Sequence, residues 1–115
     1  MSYYLFLDDI RQISDVRKYC VLPNINDKEW IIARNYKEFV DLITLRGLPK
    51  FVCYDHDLAD CDNIIEKTGY DCAQWLVAYC FFEKNIKHPP YVVHSLNPIG
   101  KQNIESYINS YNKML

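Results

Sequence analysis

No apolar run in this 115-residue chain approaches the ~20 residues of a membrane helix, which excludes a helical membrane protein. The opening Met-Ser-Tyr-Tyr-Leu-Phe-Leu run has no basic segment and meets Asp8 too soon for a signal peptide, so we expect a soluble protein without a cleaved leader. The net charge of -2 supplies no global field toward nucleic acid or an acidic membrane. Strong bulk nucleic-acid binding is therefore not expected, and any anion must be held by a local arrangement of donors. The five cysteines, 20, 53, 61, 72 and 80, are odd in number and form no C-x-x-C pair. They mostly fall inside apolar runs, where Cys acts as a small hydrophobe, and this suits a reducing cytoplasm. No Pro/Gly-rich linker, internal repeat or low-complexity tract divides the chain, so residues 1–115 read as one domain.

Short, nearly continuous apolar runs are present at Tyr3–Leu7, Trp30–Ala33, Phe51–Tyr54 and Tyr91–Val93. Such runs suit strands buried on both faces of a parallel sheet. Helical patterns lie between them. Asn35 with Glu38 resembles a capping box, Phe39, Val40 and Ile43 mark an inner face, and Gly47 and Pro49 supply the stop. A second helix is predicted over 70–84, with Ala73, Leu76, Val77, Cys80 and Phe81 inward, and another after Gly100 with Ile104, Tyr107, Ile108 and Tyr111 inward. A weaker pattern runs from Arg11 to Tyr19 and must close by Pro23. The alternation predicts an α/β fold, a small doubly wound, flavodoxin-like three-layer sandwich with a parallel sheet of about four strands in order 2-1-3-4 and helices on both faces. Ligands of such sheets bind beyond the carboxyl ends of the strands, where the order reverses.

Polar clusters fall at those ends: Asp8, Asp9 and Arg11 after the first run, Asp55, His56 and Asp57 after the third, His94 and Ser95 after the fourth. Clustered carboxylates repel one another and call for a cation, an arginine or a shared proton. The clustered aspartates are thus candidate oxygen ligands for a divalent metal, Mg²⁺ or Mn²⁺, able to polarise a phosphoryl oxygen. Equally, Asp8 or Asp9 could cap the first helix and Asp57 could order its own loop. His56 and His94, at separate strand ends, are candidates for a general acid and base with Asp55 and Asp57 beside them, although a lone His is more often structural. His88, before two prolines at the opposite end, is expected at the surface.

The segment from His94 to Gly100 turns into the last helix, whose free N–H groups favour an anion. Ser95, Asn97, Gly100 and Lys101 are candidate phosphate binders there, and an ordinary turn capped by Asn97 is the alternative. Arg11, Arg34 at the end of the second strand and Thr68 at a helix start complete the candidate phosphate-binding set. Tyr54 and Tyr70 could stack on a base or pack in the core. The irregular stretch 58–68 could be a lid or a solvated insertion.

With Leu7-Asp8-Asp9-x-Arg11, Tyr54-Asp55-His56-Asp57-Leu58, Thr68-Gly69-Tyr70-Asp71 and His94-Ser95-x-Asn97-Pro98-x-Gly100 in this order, the chain resembles the cyclic-phosphate-processing receiver-like domains across almost its whole length. Arg34 and Glu38 match a segment of that pattern following the second strand. Ile10, Gln12-Ile13 and Ala59 depart from it. The resemblance implies a relative of two-component receivers, with Asp8, Asp9 and Asp55 where those domains hold Mg²⁺. It also implies a metal-assisted phosphodiesterase acting on a 2′,3′-cyclic RNA end or a cyclic nucleotide, in RNA repair or virus–host conflict. The setting would be the cytoplasm, that of the host if the chain is viral. Two other readings stay open: a module that sequesters a cyclic nucleotide or nucleic-acid end without chemistry, and a receiver-like interaction domain phosphorylated on Asp55. No fifth strand carrying a receiver's switch lysine is evident, which weakens the last of these.

Overall fold

The computed structural model describes residues 2–58, 60–62 and 65–115, with the side chains of Asp27 and residues 60–62, 65 and 66 left out of the description. The first strand, β1 (Tyr4–Leu7), is followed by α1 (Ile13–Val16), β2 (Trp30–Ala33), α2 (Tyr36–Arg46) and β3 (Phe51–Tyr54). A small hairpin, β4 (Asp60–Asp62) and β5 (Ile65–Lys67), precedes α3 (Gly69–Tyr79), and β6 (Tyr91–Val93) and α4 (Pro98–Lys113) complete the chain. The main sheet is parallel with order β2-β1-β3-β6, the expected 2-1-3-4.

Period-two alternation sends successive side chains to opposite faces. Leu5, Leu7, Ala33, Val52, Tyr54 and Val93 face α2, α3 and α4, where they meet Phe39, Ile43, Leu76, Ile104 and Ile108. Phe6, Trp30 and Cys53 face the other way, against Ile13 and Val16 of α1 and the following segment with Cys20, Leu22 and Ile25. Helices do cover both faces, but the second cover is thin, because α1 is four residues long rather than the nine expected from Arg11 to Tyr19. Cys20, Leu22 and Ile25 supply the rest of that face without helical structure.

Other boundaries differ for local reasons. The helix expected over 70–84 is α-helical to Tyr79, continues as a π-helical turn over Cys80–Lys84, and ends at Asn85 in the left-handed region (φ 53). Phe81 and Tyr107, expected inward, are outside the buried core. The segment read as a lid or a solvated insertion holds the β4–β5 hairpin, and Ala59, Asn63 and Ile64 lie outside the described residues. His88 is buried, not at the surface: its Nε2 lies 2.7 Å from the Tyr54 hydroxyl and its backbone N–H donates to Asn112 Oδ1. Tyr54 is likewise a core residue. Among the described residues no helix is long and apolar enough to cross a membrane.

Candidate functional site

The sheet's hydrogen-bond ladder runs one residue past each strand and thereby aligns the site. Asp8 N–H donates to Ala33 O (3.2 Å), Asp55 N–H to Leu7 O (3.0 Å) and His94 N–H to Tyr54 O (2.8 Å). Asp8, Asp55 and His94 each follow a residue of the α2–α4 face, so alternation turns all three toward the α1 face. Their ligand-capable atoms lie within 4.8 Å of one another.

Within this trio the bonds are unequally shared. Asp8 Oδ1 accepts from the N–H groups of Ile10 (2.9 Å) and Arg11 (2.8 Å), while Oδ2 meets His94 Nε2 at 2.8 Å and Arg11 Nη1 at 3.4 Å. Burial pushes the Asp8 carboxyl up, but the His94 hydrogen bond and the two backbone donors outweigh it and hold the group below the usual carboxylate range. Asp55 is the opposite case. It accepts from His56 N–H (2.8 Å), yet burial and then the charge of Asp8 push its carboxyl up to about 6. His94 is fully buried, stacked on Phe6 at 5.1 Å between ring centres, with Nδ1 2.9 Å from Cys53 Sγ. A thiol donating to Nδ1 leaves the imidazole proton on Nε2, pointing at Asp8.

Above the trio opens a cavity of about 500 Å³ lined by Asp9, Ile10, Arg11, Asp55, Asp57, Ser95, Leu96, Asn97 and Pro98. On its α4 side Asn97 is the helix cap, Oδ1 accepting from Gly100 N–H at 3.0 Å, and its Nδ2 reaches both oxygens of Asp57 at 3.4 Å. Asp57 Oδ1 lies 2.9 Å from His56 Nδ1. Two glycines allow this closeness. A Cβ on Gly69 would collide with the Asp55 carbonyl oxygen, and one on Gly100 with the His56 ring.

The family model for the cyclic-phosphate processing receiver domain matches residues 3–110. The chain belongs to that family. Among solved structures, the bacteriophytochrome response regulator AtBRR is similar in fold, with a TM-score of 0.59 and 18% identity, the match covering 93% of this chain and 75% of that one. No curated protein matches the chain.

In this receiver-like domain the cavity gathers six of the residues singled out from sequence: Asp9, Arg11, Asp55, Asp57, Ser95 and Asn97. Asp8 and His94 lie beneath it, and neither His56 nor His94 is among its lining residues. Arg34, Thr68, Gly100 and Lys101 are not among the lining residues. Arg34 donates from Nη1 to the carbonyls of Asp8 (3.0 Å) and Arg11 (2.7 Å), bracing the loop that bears the acids. Thr68 caps α3 in a reciprocal box with Asp71. Lys101 is exposed on the first turns of α4, away from the lining. Ile10, Leu96 and Pro98 line the cavity without carrying chemistry that a sequence would flag. Cys53, in contact with His94, carried only the signal of its strand parity with Phe6.

Proposed function

We propose that this domain is a metal-assisted phosphoesterase that opens a cyclic phosphate, a 2′,3′-cyclic RNA end or a cyclic nucleotide, in the cavity beyond β1, β3 and β6. The observation carrying this is Asp55: a buried carboxyl raised to about 6 beside the charge of Asp8, on the wall of a cavity that also bears Arg11. His94 and Arg11 serve Asp8, whereas Asp55 accepts from the His56 backbone N–H, and an acid pair so unequally served suits a cation. Asp8 and Asp55 would hold it, with Asp9 on the same cavity wall. Mg²⁺ or Mn²⁺ there would neutralise the pair and polarise a phosphoryl oxygen.

The chain's own groups do the rest. Arg11 draws the phosphate toward the acids, and Ser95 and Asn97 bound it on the α4 side. Asp57, exposed into the cavity and backed by His56, takes the proton of the attacking water. Water oxygen then bonds to phosphorus, one ring P–O bond breaks, and the proton passes to the departing alkoxide, leaving a phosphomonoester. His94 acts from below as a positioning residue that fixes Asp8, a change from the proton-moving role its sequence position suggests. The reading is tested by incubating the protein with RNA ending in a 2′,3′-cyclic phosphate and with cyclic nucleotides, with and without chelator, and following phosphorus by NMR. Ring opening that the chelator suppresses supports it, and no turnover of any of these esters counts against it.

The absence of both histidines from the cavity lining favours a second reading, a module that binds the ester and releases it unchanged. Saturable binding with an unaltered phosphorus spectrum would select it.

A further inference from the structure

Isolated exposed aliphatic side chains are ordinary on protein surfaces. Ile10 and Leu96 are not isolated in that sense: they are 77% and 69% exposed, and both line the same acid-bearing cavity. Ile10 belongs to the loop after β1 and Leu96 to the loop after β6, and these strands flank β3 on opposite sides. The two side chains therefore border the cavity from opposite sides, with Asp55 at the end of β3 between them. Pro98 also lines the cavity. The lining thus combines charged Asp9, Arg11, Asp55 and Asp57 and polar Ser95 and Asn97 with an exposed aliphatic side chain on each of the two flanking loops.

We propose that Ile10 and Leu96 are specificity-determining residues that clasp a planar aromatic ring carried by the phosphate ester. This rests on the reading that the cavity binds a phosphate ester. It goes further in selecting esters that bear such a ring over the same phosphate without one. Strand spacing sets the scale, since β1 and β6 stand two interstrand intervals apart, roughly 10 Å. A ring touched on both faces needs the flanking carbons about 7–8 Å apart, at ordinary contact distances of 3.5–4.0 Å per face. Loops that leave strands roughly 10 Å apart can hold two upright aliphatic side chains near that separation, with room for one ring between them, whereas a partner's helix, about 10 Å thick, would not enter. With the phosphate drawn to Arg11, Ile10 and Leu96 are the lining side chains suited to the faces of a ring.

The test compares adenosine 2′,3′-cyclic phosphate with methyl ribofuranoside 2′,3′-cyclic phosphate, which replaces the base by a methyl group, by calorimetric titration of the full chain. The wild type should bind the adenosine ester at least tenfold more tightly, about 1.4 kcal/mol. In an Ile10→Ser, Leu96→Ser double variant that preference should shrink to within about twofold, with affinity for the methyl ester unchanged. Both positions are exposed, so the variant should keep the fold, which thermal unfolding verifies. Equal wild-type affinities, or a preference that survives in the double variant, would overturn the proposal while leaving the phosphate site standing. Failure of both esters to bind would remove the phosphate site as well. Self-association that the double variant abolishes would assign Ile10 and Leu96 to a protein contact and equally overturn it.

Discussion

His94 Nε2 lies 2.8 Å from Asp8 Oδ2, and both side chains are fully buried. The pair joins the ends of β1 and β6 across β3, so it fixes the acid loop to the sheet as well as shaping the site. His94→Ala would leave a buried carboxylate short of a donor, and a cavity between Phe6 and Cys53. We expect a loss of about 3 kcal/mol or more in urea unfolding. Cys53→Ala, which removes only the thiol contact, should cost less. A His94→Ala protein within about 1 kcal/mol of wild type would show that the pair contributes little.

Asp55 and His88 should oppose each other in the pH dependence of stability. Asp55 is raised to about 6 in the folded protein, from an unfolded value near the ordinary ~3.9. Between these values the folded state binds more protons, so its contribution to stability falls as pH rises from about 4 to about 6. His88, fully enclosed, is lowered to about 4 from an ordinary value of about 6.5. Here the unfolded state binds more protons, so stability rises with pH across about 4 to 6.5. The two contributions oppose each other over the same window. Wild-type stability should therefore change little across this window, Asp55→Asn should gain stability with rising pH, and His88→Gln should lose it. Urea midpoints at pH 4.5, 5.5 and 6.5 check this, and parallel profiles for all three proteins would contradict it.

Gly69→Ala should be more harmful than Gly100→Ala. The new methyl at 69 meets the Asp55 carbonyl oxygen, a backbone atom of β3's end, whereas at 100 it meets the His56 ring, a side chain able to turn. Overpacking against backbone should cost about 3 kcal/mol and against the ring about 1 kcal/mol. Gly100→Ala should also separate His56 from Asp57 and lower turnover more than stability. Equal unfolding midpoints for the two variants would argue against this packing.

The sheet was legible because its strands are short apolar runs ended by acids or histidine, as in Tyr4–Leu7 before Asp8 and Tyr91–Val93 before His94. Strand ends in a parallel sheet converge, so the acids and His94 could be grouped before any contact was visible. Side-chain direction was harder. Arg34 and Thr68 carry the right chemistry for phosphate but spend it on backbone carbonyls and a helix cap, choices set by tertiary distances. His88 precedes two prolines in a polar-looking segment, and only the fold brings Tyr54 and Asn112 to it. The short α1 escaped the periodicity because Cys20, Leu22 and Ile25 supply apolar cover without a helix.

The central claim is that a cyclic phosphate ester binds in the cavity at the carboxyl ends of β1, β3 and β6. Amide NMR of the labelled protein, titrated with adenosine 2′,3′-cyclic phosphate in the presence of Mg²⁺, tests it most directly. Saturable shifts should gather at Asp9 to Arg11, Asp55 to Asp57 and Ser95 to Asn97, with the opposite end of the sheet around His88 to Tyr91 unmoved. No saturable shift, or shifts gathered at that opposite end, would contradict the account.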